Sequence, residues 1–102
     1  MSELESRLAA LGAAGLTIPY GALARELGLR MGELTAALDQ GMIRDAAAGR
    51  PFLAAVCRQR LSPDQLPAPG FFLRARELGA RITDEAAYAQ DLRAQIRRRA
   101  QG

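Results

Sequence analysis

Residues 18–41, IPYGALARELGLRMGELTAALDQG, limit the fold of this chain more than any other stretch. Leucines spaced four residues apart mark one face of a short helix on each side of Gly28. Gly28 stands where a helix ends in a backbone of positive φ, which glycine adopts without strain. We therefore predict one helix over 20–27 and a second over 31–40, joined by a tight turn and ended by Gly41.

Within this stretch, the order Ala24, Gly28, an apolar residue and then Leu34 resembles the helix-turn-helix of bacterial DNA-binding proteins. The resemblance covers about a quarter of the chain. It implies that the second helix contacts base edges in a DNA groove. The candidates for these contacts on its outward face are Arg30, Met31, Thr35 and Gln40.

Residues 42–57 contain two apolar segments separated by a glycine-containing turn. We predict that they form two strands, and two strands after a helix-turn-helix would make a wing. Arg50 would lie at the tip of this wing, where it contacts either a phosphate or minor groove, or only solvent. In the DNA-binding interpretation the phosphates are held by Arg44, Arg50, Arg58 and Arg60.

The second predicted strand, residues 52–57, is apolar at every position. A strand with one wet face would alternate apolar and polar residues, so we expect both faces to be covered. The cover would come from two helices that follow a proline-rich loop over 61–70. One of these helices begins at Phe71, and the other is capped by Thr83.

These elements, with a first helix over 3–12, predict an α+β fold. It would be a winged helix-turn-helix of three helices and a two- to three-stranded wing sheet, with two additional C-terminal helices. The core would span 1–60, and the helical extension 61–102. The pairing of GRPFLAAV with PAPGFF is also similar to a pattern of small bacterial proteins with winged-helix-like domains.

Charge is unevenly distributed along the chain. Residues 1–40 hold three arginines against five acids, whereas 41–102 hold eleven arginines against six acids. The two parts therefore carry net charges of −2 and +5, which places the basic surface outside the predicted helix-turn-helix. Arginines 97–99 end the last helix, where they either complement the helix dipole or form a phosphate- or partner-binding tail.

The chain has no histidine, no lysine and a single cysteine, Cys57. No nucleophile–base pair is therefore available, Cys57 is expected to be a small buried hydrophobe, and a zinc site is excluded. We predict a protein that is not an enzyme and uses no cofactor or metal. The single cysteine, the acidic N-terminus and the lack of an apolar run of about 20 residues predict a cytoplasmic protein without membrane contact.

The leading hypothesis is a small bacterial transcriptional regulator that binds double-stranded DNA. The alternative is a protein-interaction adaptor in a transcription, phage or nucleoprotein complex, because Met31, Gly32 and Ala36 form an apolar patch on the second motif helix. A basic surface continuous with the motif would favour DNA. A basic surface on the side opposite the motif helix would favour a protein partner, or an unusual mode of DNA binding. An apolar stripe in the last helix either packs on the wing sheet or pairs with a second copy in a homodimer. The stripe consists of Tyr88, Leu92 and Ile96.

Overall fold

The structure, a computed structural model, describes residues 2–102. Over that range the chain is mostly helical, with a single parallel sheet of two short strands. The helices are α1 (Glu3–Ala13), α2 (Tyr20–Leu27), α3 (Met31–Ala48), α4 (Pro69–Glu77) and α5 (Glu85–Ala100), with a 3₁₀ helix at Leu53–Val56. The strands are β1 (Ile18–Pro19) and β2 (Cys57–Arg58).

Helices α2 and α3 form the turn that the leucine spacing predicts. α2 has the predicted bounds, and Gly28 follows it in the left-handed conformation with φ 67°. The Leu29 N–H donates to the Ala24 carbonyl at 2.9 Å, which closes the turn. Local sequence therefore determines this part of the fold.

Helix α3 continues beyond its predicted end, because Gly41 lies inside it. Residues 42–48 include three consecutive alanines, the best helix formers, and Met42 and Asp45 are buried on its inner face. The helix ends instead at Gly49, which has φ 68°. The interior burial outweighs the small cost of one glycine within a helix.

The predicted wing is wrong. One of its strands is the second half of α3, and the other is the 3₁₀ helix. The fold class of a winged helix-turn-helix with a two- to three-stranded wing sheet is therefore corrected to a mostly helical fold. Residues 52–57 are buried except for the partly buried Leu53, but an apolar run suits a buried helical turn as well as a buried strand. Arg50 follows the end of α3 and does not lie at a wing tip.

The two strands pair in parallel across a long stretch of sequence. Ile18 lies opposite Cys57, and Pro19 lies opposite Arg58. β2 thus pairs with β1, the segment that leads into α2, and not with the residues that directly precede β2 in the chain. This register brings the residues that follow Cys57 to the start of α2.

The hydrophobic core surrounds the 3₁₀ helix, which α1, α3 and α5 contact. Ala55 and Val56 are fully buried there. α1 packs closely on α5 at Gly12, because a Cβ at this position would overlap Cγ2 of Ile96. Leu92 and Ile96 are buried by the chain itself, so neither is exposed for a second copy.

The two predicted C-terminal helices are present. Phe71 and Phe72 anchor α4 in the core, with their ring centroids 5.2 Å apart in an edge-to-face contact. α5 begins after Asp84, whose carboxylate accepts a hydrogen bond from the Ala87 N–H at 3.0 Å. Asp84, and not Thr83, is therefore the N-cap of the last helix.

Arg93 fixes α5 to the middle of the molecule. Its guanidinium donates to the carbonyls of Ala55 at 2.7 Å and Gln65 at 2.6 Å. A second bond from Nη2 reaches the carbonyl of Cys57 at 3.4 Å. Arg93 thus satisfies backbone acceptors beside β2, and its role is structural.

Candidate nucleic-acid interface

A basic groove lies at the start of α2. The register of the sheet places Arg58 beside Pro19, and Arg60 follows two residues later. Arg25 projects from the next turn of α2. These three arginines and residues 19–22 line an open cavity of about 400 Å³, which we call the basic groove.

The positive charge of the basic groove is not neutralised by the described part of the chain. Among residues 2–102, none of its three arginines forms a salt bridge, and no acid lines the cavity. The Arg58 guanidinium donates only to the carbonyls of Gln59 at 3.5 Å and Arg60 at 3.3 Å. The groove therefore attracts anions.

The N-terminus of α2 lies at the basic groove, and that of α4 lies at the apolar groove described below. The N-cap of α2 is Pro19 and that of α4 is Ala68, and neither side chain caps its helix. Tyr20, the first residue of α2, accepts a hydrogen bond from the Ala68 N–H at 2.9 Å through its hydroxyl. The positive end of the α2 dipole thus adds to the charge of the arginines.

Tyr20 stays uncharged at neutral pH. Burial raises the pKa of its phenol to about 12, although the Ala68 hydrogen bond lowers it. A phenolate here would partly cancel the positive charge of Arg25, Arg58 and Arg60. The neutral ring therefore forms a wall of the groove without repelling an anion.

A second cavity, which we call the apolar groove, lies between α3 and α4 on the other side of Tyr20. It measures about 250 Å³, and its walls include Tyr20, Met31, Thr35 and Phe71. Met31 is 49% exposed at its mouth. Tyr20 contributes to both grooves, so the basic groove and the apolar groove adjoin.

An ion pair stands at the edge of the apolar groove. Nε of Arg74 lies 2.6 Å from Oδ1 of Asp39, and Nη2 lies 3.3 Å from Oδ2. Both side chains line the cavity and are partly exposed. The groove thus presents a hydrogen-bond donor and acceptor beside apolar walls.

The predicted contacts on α3 are exposed. Arg30 is the N-cap of α3, and its backbone N–H donates to the Glu33 carboxylate at 2.9 Å. Thr35 donates its hydroxyl to the Met31 carbonyl at 2.9 Å, and Gln40 lies one to two turns further along. Of this set, Met31 and Thr35 line the apolar groove.

The remaining predicted phosphate contacts fall into two places. Arg58 and Arg60 line the basic groove, as described above. Arg44 instead pairs with Glu5 at 2.8 Å, and Nε of Arg50 lies 3.2 Å from Oδ1 of Asp45. Acids therefore neutralise Arg44 and Arg50, and neither of these arginines lines the basic groove.

Glu5, Asp45 and Arg50 belong to a third cavity of about 260 Å³, the mixed-charge cleft, between α1 and the C-terminal ends of α3 and α5. Arg99 of the C-terminal tail also lines it. Arg97 packs against Gly15 instead. The tail thus lies beside the mixed-charge cleft and does not line the basic groove.

Sequence reasoning missed Arg25 and the exposure of Tyr20. Arg25 belongs to the net-acidic first part of the chain, so charge counting drew attention away from it. Its position on the outer face of α2, between the inward Leu23 and Leu27, was the available signal. Tyr20 was expected to pack at the helix start, which it does while also lining two cavities.

The surfaces predicted for protein partners are only partly exposed. Met31, Gly32 and Ala36 are exposed on α3. Tyr88 is half-buried, with its ring centroid 6.4 Å from that of Phe71.

Residues 2–102 contain no cluster of acids and cysteine arranged to hold a metal ion.

Comparison with protein-family models, with curated proteins and with solved structures finds no match for this chain. Across residues 2–102, none of the helices has the length and apolar character needed to cross a bilayer.

Proposed function

We propose that this protein binds DNA and holds the phosphate backbone in the basic groove. The observation that carries the proposal is that Arg25, Arg58 and Arg60 line one cavity with no acid among its described lining residues. Arginine binds phosphate through two parallel N–H donors, which makes it the side chain best suited to this ligand. The N-terminus of α2, which lines the groove, favours the same ligand.

The helix-turn-helix supports the same orientation. In such motifs the first helix crosses the DNA backbone, and the second enters the major groove. The basic groove lies at the start of α2, and the exposed Arg30 and Thr35 lie in the first turns of α3. Few of these side chains can contact base edges, so we expect weak sequence specificity and a role in regulation or in nucleoprotein organisation.

The position of the basic groove favours DNA over the protein-adaptor alternative. Charge counting placed the basic surface outside the motif, but Arg58 and Arg60 lie beside α2 because β2 pairs with β1. A basic surface continuous with the motif helices is what DNA binding requires. An adaptor would use the apolar face of α3 and would have no need of the three arginines.

The test is fluorescence anisotropy of the full chain with a mixed-sequence duplex. Three phosphate contacts should give a slope of about −2.7 for log affinity against log salt, or about a fortyfold loss from about 50 to about 200 mM salt. Arg60→Ala should lower affinity for every sequence and reduce the slope by about 1.

Arg81→Ala provides the matched control. Arg81 is exposed and lines none of the three cavities. Its substitution by alanine removes the same charge as Arg60→Ala. Its substitution should change affinity much less than Arg60→Ala. Equal losses in the two variants, or no binding at low salt, would contradict the proposal.

A further inference from the structure

The apolar groove and the basic groove adjoin through one side chain. Tyr20 lines both cavities, and its hydroxyl bond to Ala68 fixes its position. A ligand that fills both must therefore carry an anionic group next to a flat or apolar one. A nucleotide has this composition, because its phosphate and base are joined by one sugar.

The walls of the apolar groove match a nucleobase better than an aliphatic side chain. Tyr20, Met31 and Phe71 offer apolar and aromatic surface, on which any base can stack. The Asp39–Arg74 pair at the edge offers an acceptor and a donor. Base edges carry both kinds of group, whereas an aliphatic side chain carries neither.

We propose that the protein binds single-stranded nucleic acid, with one unstacked base in the apolar groove and its phosphate in the basic groove. This inference rests on the proposed function, since it uses the same three arginines. A base inside a duplex is paired and stacked, so it cannot enter a recessed cavity unless it leaves the stack. The binding of unpaired strands is therefore favoured.

An acidic protein segment is the competing ligand, and the charges disfavour it. Its carboxylates would suit Arg25, Arg58 and Arg60. A neighbouring carboxylate would find no free cation at the edge of the apolar groove, because Arg74 there is already paired with Glu77 and with the Asp39 carboxylate. The amino and imino groups of a base donate to the Asp39 carboxylate. The same acid thus discriminates between the two ligands.

The experiment compares two fluorescent oligonucleotides of equal length by anisotropy. One is a mixed-sequence single strand, and the other is an abasic strand with the same phosphates and no bases. The full chain should bind the normal strand about tenfold more tightly, because each stacked base adds affinity that phosphate contacts do not supply. It should also bind the normal strand more tightly than the duplex.

Met31→Glu locates the base. This change places an acid at the mouth of the apolar groove, so it should remove most of the tenfold preference for the normal strand. Leu73→Glu is the matched control, because Leu73 is 63% exposed on α4 and does not line the groove. Met31→Ala, which adds no charge, should reduce the preference less and keeps the test valid if Met31→Glu does not fold.

The outcomes separate the inference from the proposed function. Equal affinity for the two strands, with affinity still lowered by Arg60→Ala, would overturn the base site and leave phosphate binding intact. No binding of either strand or of duplex at low salt would overturn both. Polyglutamate and abasic DNA can also be compared as competitors at equal concentrations of negative charge. If polyglutamate displaces the normal strand as well as abasic DNA does, the base site is overturned and an acidic protein ligand is indicated.

Discussion

The basic groove and the mixed-charge cleft use the same residue type in different ways. In the cleft, Asp45 is only 5% exposed and binds both Arg50 and the Leu53 N–H, at 3.2 and 3.0 Å. In the basic groove, Arg25 and Arg60 have no acidic partner among residues 2–102. Arg50 in the cleft therefore serves the fold, and the arginines of the basic groove are left for a ligand.

This difference teaches that net charge along the sequence does not locate a binding surface. The cleft and the groove both draw arginines from the basic part of the chain. Only the acids that folding brings beside them decide which charges remain available. Changes in the cleft should therefore alter stability and spare DNA binding, and changes in the groove should do the reverse.

The largest expected effect is the fall in the free energy of unfolding at high pH, which Cys57 and Tyr20 set. Burial raises the pKa of Cys57 from 9.0 and that of Tyr20 from 10.0, each to about 12. The folded state then holds protons that the unfolded state releases, so the free energy of unfolding falls as pH rises from about 9 to about 12. By pH 11 the loss should reach about 4 kcal/mol, at about 1.4 kcal/mol per pKa unit.

Urea unfolding between pH 7 and pH 11 measures this loss. Cys57→Ala should delay the decline toward pH 10, where the raised pKa values of Tyr20 and Tyr88 still contribute, and Tyr20→Phe should leave the onset near pH 9. A stability that stays constant to pH 11 would mean that neither group is shielded from solvent, and the back wall of the groove would not be closed.

The next largest effect tests the role of Asp45 in the mixed-charge cleft. Asp45→Ala removes the acceptor of the Leu53 N–H and the partner of Arg50, so it should lower the free energy of unfolding by about 2–3 kcal/mol. Arg50→Ala should cost only about 0–1 kcal/mol, because the Arg50 side chain is 47% exposed. Chemical denaturation separates the two, and similar costs would show that the ion pair, not the backbone bond, matters.

The comparison of the two arginine sets is tested directly by two double variants. Arg25→Ala with Arg60→Ala should lower DNA affinity about thirtyfold, at about 1 kcal/mol for each phosphate contact. Arg44→Ala with Arg50→Ala removes the same charge from residues already paired with acids, so its affinity should change by less than about threefold. Anisotropy at one salt concentration is sufficient, and a reversed order would place the DNA at the cleft.

Sequence predicted the parts of the fold that depend on near neighbours. The bounds of α2 and the left-handed Gly28 follow from residues within one turn. The 3₁₀ helix could not be distinguished from a strand, because Ala54, Ala55 and Val56 are buried on all sides and periodicity is then lost. Burial was predicted correctly, and backbone shape was not.

The candidate site was only partly predictable for the same reason. Arg58 and Arg60 were named as phosphate contacts, but their place beside α2 depends on the pairing of residues 18–19 with 57–58. Two strands of two residues each carry almost no sequence signal, so this pairing cannot be derived from local pattern. Arg25 becomes part of a site only after that pairing is known.

The smallest expected effect tests the continuity of α3, which joins the apolar groove at its first turns to the mixed-charge cleft at its end. Gly41 lies inside the helix, and an added Cβ would meet only Nη2 of Arg44 at 3.9 Å. Gly41→Ala should therefore raise the free energy of unfolding by about 0.5–1 kcal/mol. Gly49→Ala should instead lower it by about 1–2 kcal/mol, because φ there is 68°. Thermal unfolding measures both, and destabilisation by Gly41→Ala would mean that the helix ends at Gly41 and the two regions are not joined by one rigid element.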